Sequence, residues 1–287
     1  MALSILNTLI QGVMLGGLYA LFALGLSMSV GIMRTVNIAH GDLIVLTSFM
    51  LLTIMTHLGV NVFVALALIV PFIFAAYYLL QRYLLQRVAG KTILAPLLVT
   101  FGLSVIIQNG LLESYGAYPK LLDGGGLQAA TLALGPFNIG LLPLLTLGAA
   151  IGLIFLLDLL LYRSPVGANI RAVADDVAAA KLVGLPSTHI YAIAMGIVGI
   201  TIAVAASFMG LRMNFDATSG PSQLLVSFEV VVLGGLGSLW GTLLGGIVIG
   251  VAQSLGGQIN FSWQILAGHL AFLIFFMIRP QGLFPKY

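Results

Sequence analysis

Residues 5–33 read ILNTLIQGVMLGGLYALFALGLSMSVGIM and contain no charged side chain. A helix needs about 20 mostly apolar residues to cross the hydrocarbon core of a bilayer, so this run predicts a first transmembrane helix. No basic segment precedes the run, and we therefore expect the helix to be retained and not cleaved as a signal peptide. Arg34 follows directly, and a second apolar run begins at residue 38. This stretch indicates an α-helical membrane protein.

The composition extends that conclusion to the whole chain. Of the 287 residues, 60% are hydrophobic and 7% are charged, whereas soluble domains carry roughly 25% charged residues. So little charge cannot cover a soluble surface, which excludes a soluble enzyme, a nucleic-acid-binding protein and a disordered chain. Because the chain has no cysteine, disulfides, thiolate metal sites and cysteine nucleophiles are excluded as well.

Nine apolar runs separated by charged clusters predict an all-α polytopic integral membrane protein. We expect eight to nine transmembrane helices in one domain, 1–287, and no β-barrel, because the runs are long and do not alternate. The run 224–236 is short and contains Glu229, so a broken or half-length helix is the alternative to a full span there. The runs are 5–33, 38–55, 60–80, 93–112, 139–161, 190–209, 224–236, 239–255 and 263–278.

The basic residues predict the orientation. If residues 81–91 are cytoplasmic, nine spans place all but two of the 11 basic residues inside, and only Lys120 and Arg212 outside. Since cytoplasmic loops carry an excess of Lys and Arg, we expect an outside N-terminus and a cytoplasmic C-terminus. The inside residues are Arg34, Arg82, Arg87, Lys91, Arg163, Arg171, Lys181, Arg279 and Lys286.

The cytoplasmic loop 163–186 reads RSPVGANIRAVADDVAAAKLVGLP and predicts one surface helix of about 17 residues. Ser164 and Pro165 are typical of a helix start, and Gly184 is typical of a helix end. Arg171 and Asp175 are four residues apart and are expected to pair. The apolar stripe and balanced charges favour docking into a protein groove over anchoring on lipid, because lipid-binding helices usually have a basic face.

The outer loop 113–138 is the other long connection. It contains Pro119, three glycines at 124–126 and Pro136, which together predict a flexible surface segment. Contact with a partner outside the membrane is the alternative.

Four polar residues at or near membrane depth are candidates for a translocation path, because ionisable groups are expensive there. Asn37, His40 and Asp42 stand together, and Glu229 lies in the short seventh run. For the first three, helix capping and hydrogen bonding between helices is an equal alternative. His269 is interpreted as a packing histidine.

Motifs for chemistry are missing from the sequence. The GKT at residues 90–92 lacks the earlier glycine of a phosphate loop, since position 85 is Leu85, and no ATP site is expected. Neither a zinc-binding HExxH helix nor a GxSxG nucleophile elbow is present. Transport is therefore favoured over an intramembrane enzyme. An ion-coupled secondary transporter or channel, with His40, Asp42 and Glu229 relaying protons, remains the alternative.

Four stretches of the chain carry a family resemblance. The chain resembles the inner-membrane permease subunits, LivH type, of the bacterial ABC importers for branched-chain amino acids. NIAHGD at 37–42 and VVLGGLGS at 231–238 are the most specific matches. The stretches are GLYALFALGLSMSVGIMRTVNIAHGDL (17–43), APLLVTFGLSVIIQN (95–109), the loop 163–186, and FEVVVLGGLGSLWGTLLGGIVIGVAQSL (228–255) with RPQGLFP (279–285).

The resemblance implies a division of labour in a bacterial inner membrane. This chain would pair with a second, homologous permease, two cytosolic ATPase subunits would use the ATP, and a periplasmic binding protein would deliver the solute. The chain itself would bind no cofactor and no nucleic acid, and it would catalyse no bond change. The solute would be a branched-chain amino acid or a similar small polar molecule.

The resemblance also implies that the loop 163–186 is a coupling helix that docks on an ATPase subunit, and that the loop 113–138 is periplasmic. Ala178 stands where the family commonly has glutamate, so Asp175 or Asp176 would supply the carboxylate. The residues expected at the ATPase contact are Arg171, Asp175, Asp176, Lys181 and Gly184.

Overall fold

A computed structural model describes residues 2–89, 92, 94–135 and 137–284 of the chain. Lys91, Lys286 and Pro136, which the sequence analysis assigned to loops, lie outside these residues. The described chain is mostly helical, which confirms the all-α polytopic class. Its helices are α1 (Ala2–Met33), α2 (His40–Leu58), α3 (Val62–Leu79), a π-helix (Leu80–Leu85) continued by α4 (Gln86–Val88), α5 (Leu94–Tyr115), α6 (Leu141–Arg163), α7 (Pro165–Asp175), α8 (Val177–Leu182), α9 (Ser187–Arg212), α10 (Gly220–Gly234), α11 (Leu239–Ile259) and α12 (Trp263–Ile278).

Seven helices within the described residues are long and apolar enough to cross a membrane, with α3, the π-helix and α4 acting as one. The helices α10 and α12 are apolar but shorter. At 1.5 Å per residue, the 15 residues of α10 span only about 22 Å of a hydrocarbon core about 30 Å thick. The half-length helix considered for 224–236 is thus observed, and it begins four residues earlier, at Gly220.

The helices α1 and α9 form the centre of the bundle. In each, 83% of the most apolar window is buried, against 28% in α3, α5 and α6. The outer helices turn large apolar side chains outward, such as Leu98, Phe155 and Phe72, as expected for a surface that meets lipid. The helix faces that meet lipid are as apolar as the faces that pack inside the bundle. Hydropathy along the sequence therefore does not tell which face is buried.

The packing of the helices repeats with inverted direction. Helix α1 packs along α11 and on α10, while α9 packs along α3 and on α2. Each central helix is followed by an extended segment and then by a helix that starts inside the bundle, α2 in one case and α10 in the other. One unit is thus α1 with α2 and α3, and the other is α9 with α10 and α11. Because α1 and α9 run in opposite directions, these two units have opposite orientations, as in transporters built from inverted repeats.

Glycines set the closeness of α1 and α11. A Cβ on Gly16 would lie 2.5 Å from Cα of Ile247, and one on Gly246 would lie 2.5 Å from the carbonyl oxygen of Gly16. Gly12 and Gly16 on α1, and Gly246 and Gly250 on α11, are each spaced four residues apart, and this spacing allows the close packing seen in many membrane proteins.

The basic residues divide between the two ends of the bundle as the sequence predicted. Seven of the nine described ones lie at the end that also holds the loop 163–186, while Lys120 and Arg212 lie at the other. Lys120 pairs with the backbone of Phe215, and Leu122 donates its backbone N–H to Gly210. The outer loop 113–138 is more structured than expected, because it packs on the end of α9 and leads into a hairpin of β1 (Thr131–Leu134) and β2 (Phe137–Gly140).

Candidate functional site

The helix α2 begins deep inside the bundle. His40 Nε2 lies 2.8 Å from the backbone oxygen of Phe22, and a carbonyl can only accept, so this nitrogen carries the proton. Phe22 lies 11 residues before the end of α1 at Met33, a distance of about 16 Å along the helix. His40 was expected near the inner end of a span, but it lies near the middle of α1.

The first turns of α2 and α10 touch at this depth. A Cβ on Gly41 would overlap the backbone oxygen of Gly220, and a Cβ on Gly220 would overlap the carboxylate of Asp42. Two helix N-termini therefore meet, and each presents backbone N–H groups and partial positive charge. Half-helix N-termini that meet inside a membrane are typical of substrate sites in transporters.

Asp42 is the charged group at this junction. Its side chain is buried, and it accepts hydrogen bonds from Ser104 Oγ at 2.6 Å and from Gln108 Nε2 at 3.0 Å. Both donors are on α5, and Ser104 and Gln108 also bond to each other at 3.2 Å. The carboxylate also lies in the first turn of α2, where negative charge is favourable. These contacts hold the carboxyl group of Asp42 in place at mid-depth.

Asn37 holds the extended segment that leads to α2. Its Oδ1 accepts the backbone N–H of Ala39 at 3.0 Å, and the neighbouring N–H of Ile38 is bonded to Thr100 Oγ1 at 3.1 Å. Asn37 therefore braces the turn before α2, whose N-cap Ala39 has no side-chain cap hydrogen bond. Its Nδ2, however, is buried and has no hydrogen-bond partner among the described residues.

Glu229 lies apart from the other three candidates. It is on α10, nine residues after Gly220, and thus about 13 Å further along the helix. His269 Nδ1 on α12 lies 2.5 Å from Glu229 Oε1, and this is the one ion pair found in the described part of the chain. His269 is the partner of Glu229, whereas the sequence analysis interpreted it as a packing residue. The pair ties α10 to α12.

We expect Glu229→Ala and His269→Ala to lower the thermal stability of the protein by similar amounts. Each removes one end of the same charge-assisted hydrogen bond, which contributes roughly 1.5–3 kcal/mol when buried and less here, since a third of the His269 side chain is exposed. The double variant should melt no lower than the worse single variant, measured as the unfolding midpoint in detergent. Additive losses would show that the two residues act independently.

The cytoplasmic loop forms two helices and not the single one that was expected. Ser164 Oγ accepts the backbone N–H of Gly167 at 3.0 Å, which confirms the predicted start. The chain then breaks at Asp176, whose backbone is extended. Its Oδ1 accepts the N–H groups of Ala178 and Ala179 at 2.8 and 3.0 Å. Asp176 therefore caps α8, a role that spacing alone did not reveal.

Arg171 and Asp175 do not form the expected pair in the described structure, since the one ion pair there is His269–Glu229. The guanidinium of Arg171 lies over the ring of Tyr162, 5.0 Å from its centroid, and this contact is favourable for a cation. Arg171 and Asp175 line one inner cavity of about 690 Å³ that Arg34 also borders. The contact of Arg171 with Tyr162 thus joins α7 to the end of α6, in place of an ion pair within α7.

The end of α8 projects from the bundle. Leu182 is 89% exposed and Val183 is 75% exposed, beside the exposed Lys181. Gly184 then reverses the chain with φ +81°, and the N–H of Leu185 bonds to Ala180 O, which is a glycine-terminated helix end. Two adjacent exposed apolar side chains on a charged tip are suited to a protein contact.

The hydrogen-bond partners of the two buried acids, Asp42 and Glu229, were not predicted from the sequence. Ser104 and Gln108 are four residues apart in an apolar helix and so share a face, and this spacing was a signal that they serve one group. For His269 the signal was weaker, because nothing in the chain order relates α12 to Glu229. No three His, Asp or Glu side chains among the described residues form a group that could hold a metal ion.

Known proteins that are similar to this chain are permeases of transport systems. The family model described as "Branched-chain amino acid transport system / permease component" matches residues 8–278. The permease BraD of Pseudomonas aeruginosa is 30% identical over 98% of this chain and 96% of its own, and LivH of Salmonella typhimurium is 26% identical with the same coverage. LivM of the same species is 29% identical over 44% of this chain and 30% of its own.

A solved structure described as PsaBC from Streptococcus pneumoniae in complex with Fab has a TM-score of 0.51 and 14% identity, covering 98% of this chain and 97% of that one. This likeness concerns the fold alone. The relatives are permease proteins of transport systems, which fits the permease interpretation and not the ion-coupled alternative. The chain is a multi-pass membrane transport subunit and belongs to the family of permease components of branched-chain amino acid transport systems.

Proposed function

We propose that the chain forms half of the translocation path of an ATP-driven importer for branched-chain amino acids or a similar small polar solute. The substrate class is that of the transport systems to which its relatives belong. The observation that carries the proposal is the junction of α2 and α10, where Asp42 lies between two helix N-termini. An amino acid presents both charges, so its ammonium group suits Asp42 and its carboxylate suits the N–H groups of the helix ends.

In this proposal Asn37, His40 and Asp42 lie along the path, and Glu229 lies beside it. Asn37 and His40 position the start of α2, while the pair Glu229–His269 fixes α10 against α12. A shift of α10 relative to α2 changes the surroundings of Asp42. Alternating access then follows from different contacts with the solute in the two states.

The loop 163–186 is proposed to dock on an ATPase subunit. Its exposed tip, together with Lys181, Gly184, Asp175, Asp176 and Arg171, supplies a surface that moves with the ATPase. Two such ATPase subunits use the ATP, and this chain binds no cofactor and no nucleic acid. The partial similarity to LivM supports a second, homologous permease, and hence a heterodimer.

The outer loop 113–138 is proposed to face a periplasmic binding protein. The loop is anchored on α9 through Leu122, so a contact there is transmitted to a central helix. The setting is then a bacterial inner membrane, with this loop in the periplasm and the loop 163–186 in the cytoplasm.

The test is uptake of radiolabelled leucine into proteoliposomes that contain the chain with its neighbouring permease and ATPases. We expect uptake only with ATP and the binding protein, and co-purification of the ATPases from the native host. Asp42→Asn should lower uptake about tenfold or more, since a hydrogen bond to a charged group contributes roughly 1.5–3 kcal/mol. Uptake by this chain alone without ATP would contradict the proposal and favour an ion-coupled carrier.

A further inference from the structure

A second cavity lies at the inner end of the bundle, away from the junction of α2 and α10. Its volume is about 390 Å³, within the range of small-molecule sites. It is bordered by the extended segment after α1, the π-helix, the start of α5 and the coupling helix α8. The cavity thus touches both the segment that leads to the path and the segment proposed to meet the ATPase.

Two buried amides border this cavity with unpaired polar atoms. Asn37 and Gln81 are each 4% exposed, yet Asn37 Nδ2 and Gln81 Oε1 have no partner among the described residues. The orientation of Asn37 is settled, because its Oδ1 accepts the N–H of Ala39. Gln81 Nε2 donates to Gln86 Oε1 at 3.4 Å. Buried polar groups are normally paired, so a donor and an acceptor are left for something that the chain does not supply.

Local backbone geometry supports a built site. Gln81 is the buried residue of the π-helix Leu80–Leu85. Short π-helical segments are rare in proteins, and those that occur are often at functional sites. The remaining wall is mixed. Lys181 contributes a cation, while Met33, Leu85 and Tyr191 contribute apolar or aromatic surface.

From these features we propose that the cavity binds a zwitterionic aliphatic amino acid from the cytoplasmic side. The carboxylate accepts hydrogen bonds from Asn37 Nδ2 and Lys181, the ammonium group donates to Gln81 Oε1, and the aliphatic side chain contacts the apolar wall. Bound there, the amino acid bridges α8 to the segment before α2 and holds the permease in one state. A high concentration of the amino acid in the cytoplasm therefore slows import. This regulatory role rests on the proposed function, but binding itself can be measured without transport.

The first readout is binding of radiolabelled leucine to the purified complex of permeases and ATPases, without the binding protein. We expect saturable binding to the wild type. The affinity should fall at least tenfold in Gln81→Met, because this change keeps the length of the side chain and removes the acceptor. Gln258→Met changes the same residue type at the outer end, where Gln258 bonds to Ser4, and should bind as the wild type does. Absence of leucine binding, or binding that Gln81→Met leaves intact, would overturn the site and indicate that water alone fills the cavity.

The second readout is ATP-driven uptake into proteoliposomes loaded with leucine or left empty. Internal leucine should slow uptake by the wild type about fivefold or more. Uptake by Gln81→Met should be equal in loaded and empty vesicles. If empty vesicles transport and internal leucine has no effect, the regulation is wrong and the proposed function stands. If no vesicle transports but leucine binding depends on Gln81, the proposed function fails and the site stands.

Discussion

Replacing Gly41 or Gly220 with alanine should reduce uptake by at least about tenfold. At each position a Cβ would overlap an atom of the facing helix, the backbone oxygen of Gly220 in one case and the carboxylate of Asp42 in the other. Backbone lies in the way at both positions, because a Cβ on Gly220 would also lie 2.8 Å from Cα of Asp42. Backbone cannot move aside as a flexible side chain does, so the cost lies at or above the roughly 1–3 kcal/mol usual for overpacking. The junction of α2 and α10 would be forced apart, and Asp42 would lose its position.

The matched controls are Gly102→Ala and Gly110→Ala on α5, where a Cβ meets nothing within 4 Å. Uptake of labelled leucine is compared at equal amounts of protein in the membrane. The controls should transport within about twofold of the wild type, because alanine is a better helix former than glycine. Normal uptake by Gly41→Ala would show that the close approach of the two helices is not needed for transport.

If the loop 163–186 docks on an ATPase subunit as proposed, replacing both Leu182 and Val183 with aspartate should abolish that association. Both side chains are largely exposed at the tip of the loop 163–186, so the change should leave the fold intact. At an interface the two carboxylates would be buried without partners. Loss of an apolar anchor costs about 2 kcal/mol or more, and with two anchors we expect affinity to fall more than about 100-fold.

The measurement is co-purification of the ATPases with a tagged permease, together with leucine-stimulated ATP hydrolysis. Leu121→Asp serves as the control, because Leu121 is 47% exposed in the loop at the other end and should retain the ATPases. If the double variant still co-purifies with ATPases at the wild-type ratio, the tip is not the docking surface.

Helix positions and the division of charge were predictable from local sequence. The predicted start of the coupling loop at Ser164 also agrees with the structure, since a cap depends on three or four neighbouring residues. The break at Asp176 was not predicted, because Asp175 and Asp176 are equivalent in a helical pattern, and only the geometry decides which of them caps α8. The expected pair of Arg171 and Asp175 failed for a related reason, as Tyr162 in another helix lies under Arg171.

By itself, the sequence determined that this protein is a polytopic helical membrane protein, that most of its basic residues lie at one end of the bundle, and which family it resembles. The helical membrane class and the distribution of charge depend on the free energy of transfer between water and lipid. That free energy follows from the order of apolar and charged residues along the chain. Only the tertiary structure decided that Asp42 meets Gly220, that Glu229 meets His269, and that two amides face one cavity. Apolar residues suit lipid and protein neighbours equally well, so hydropathy records the depth of a segment but not its partner.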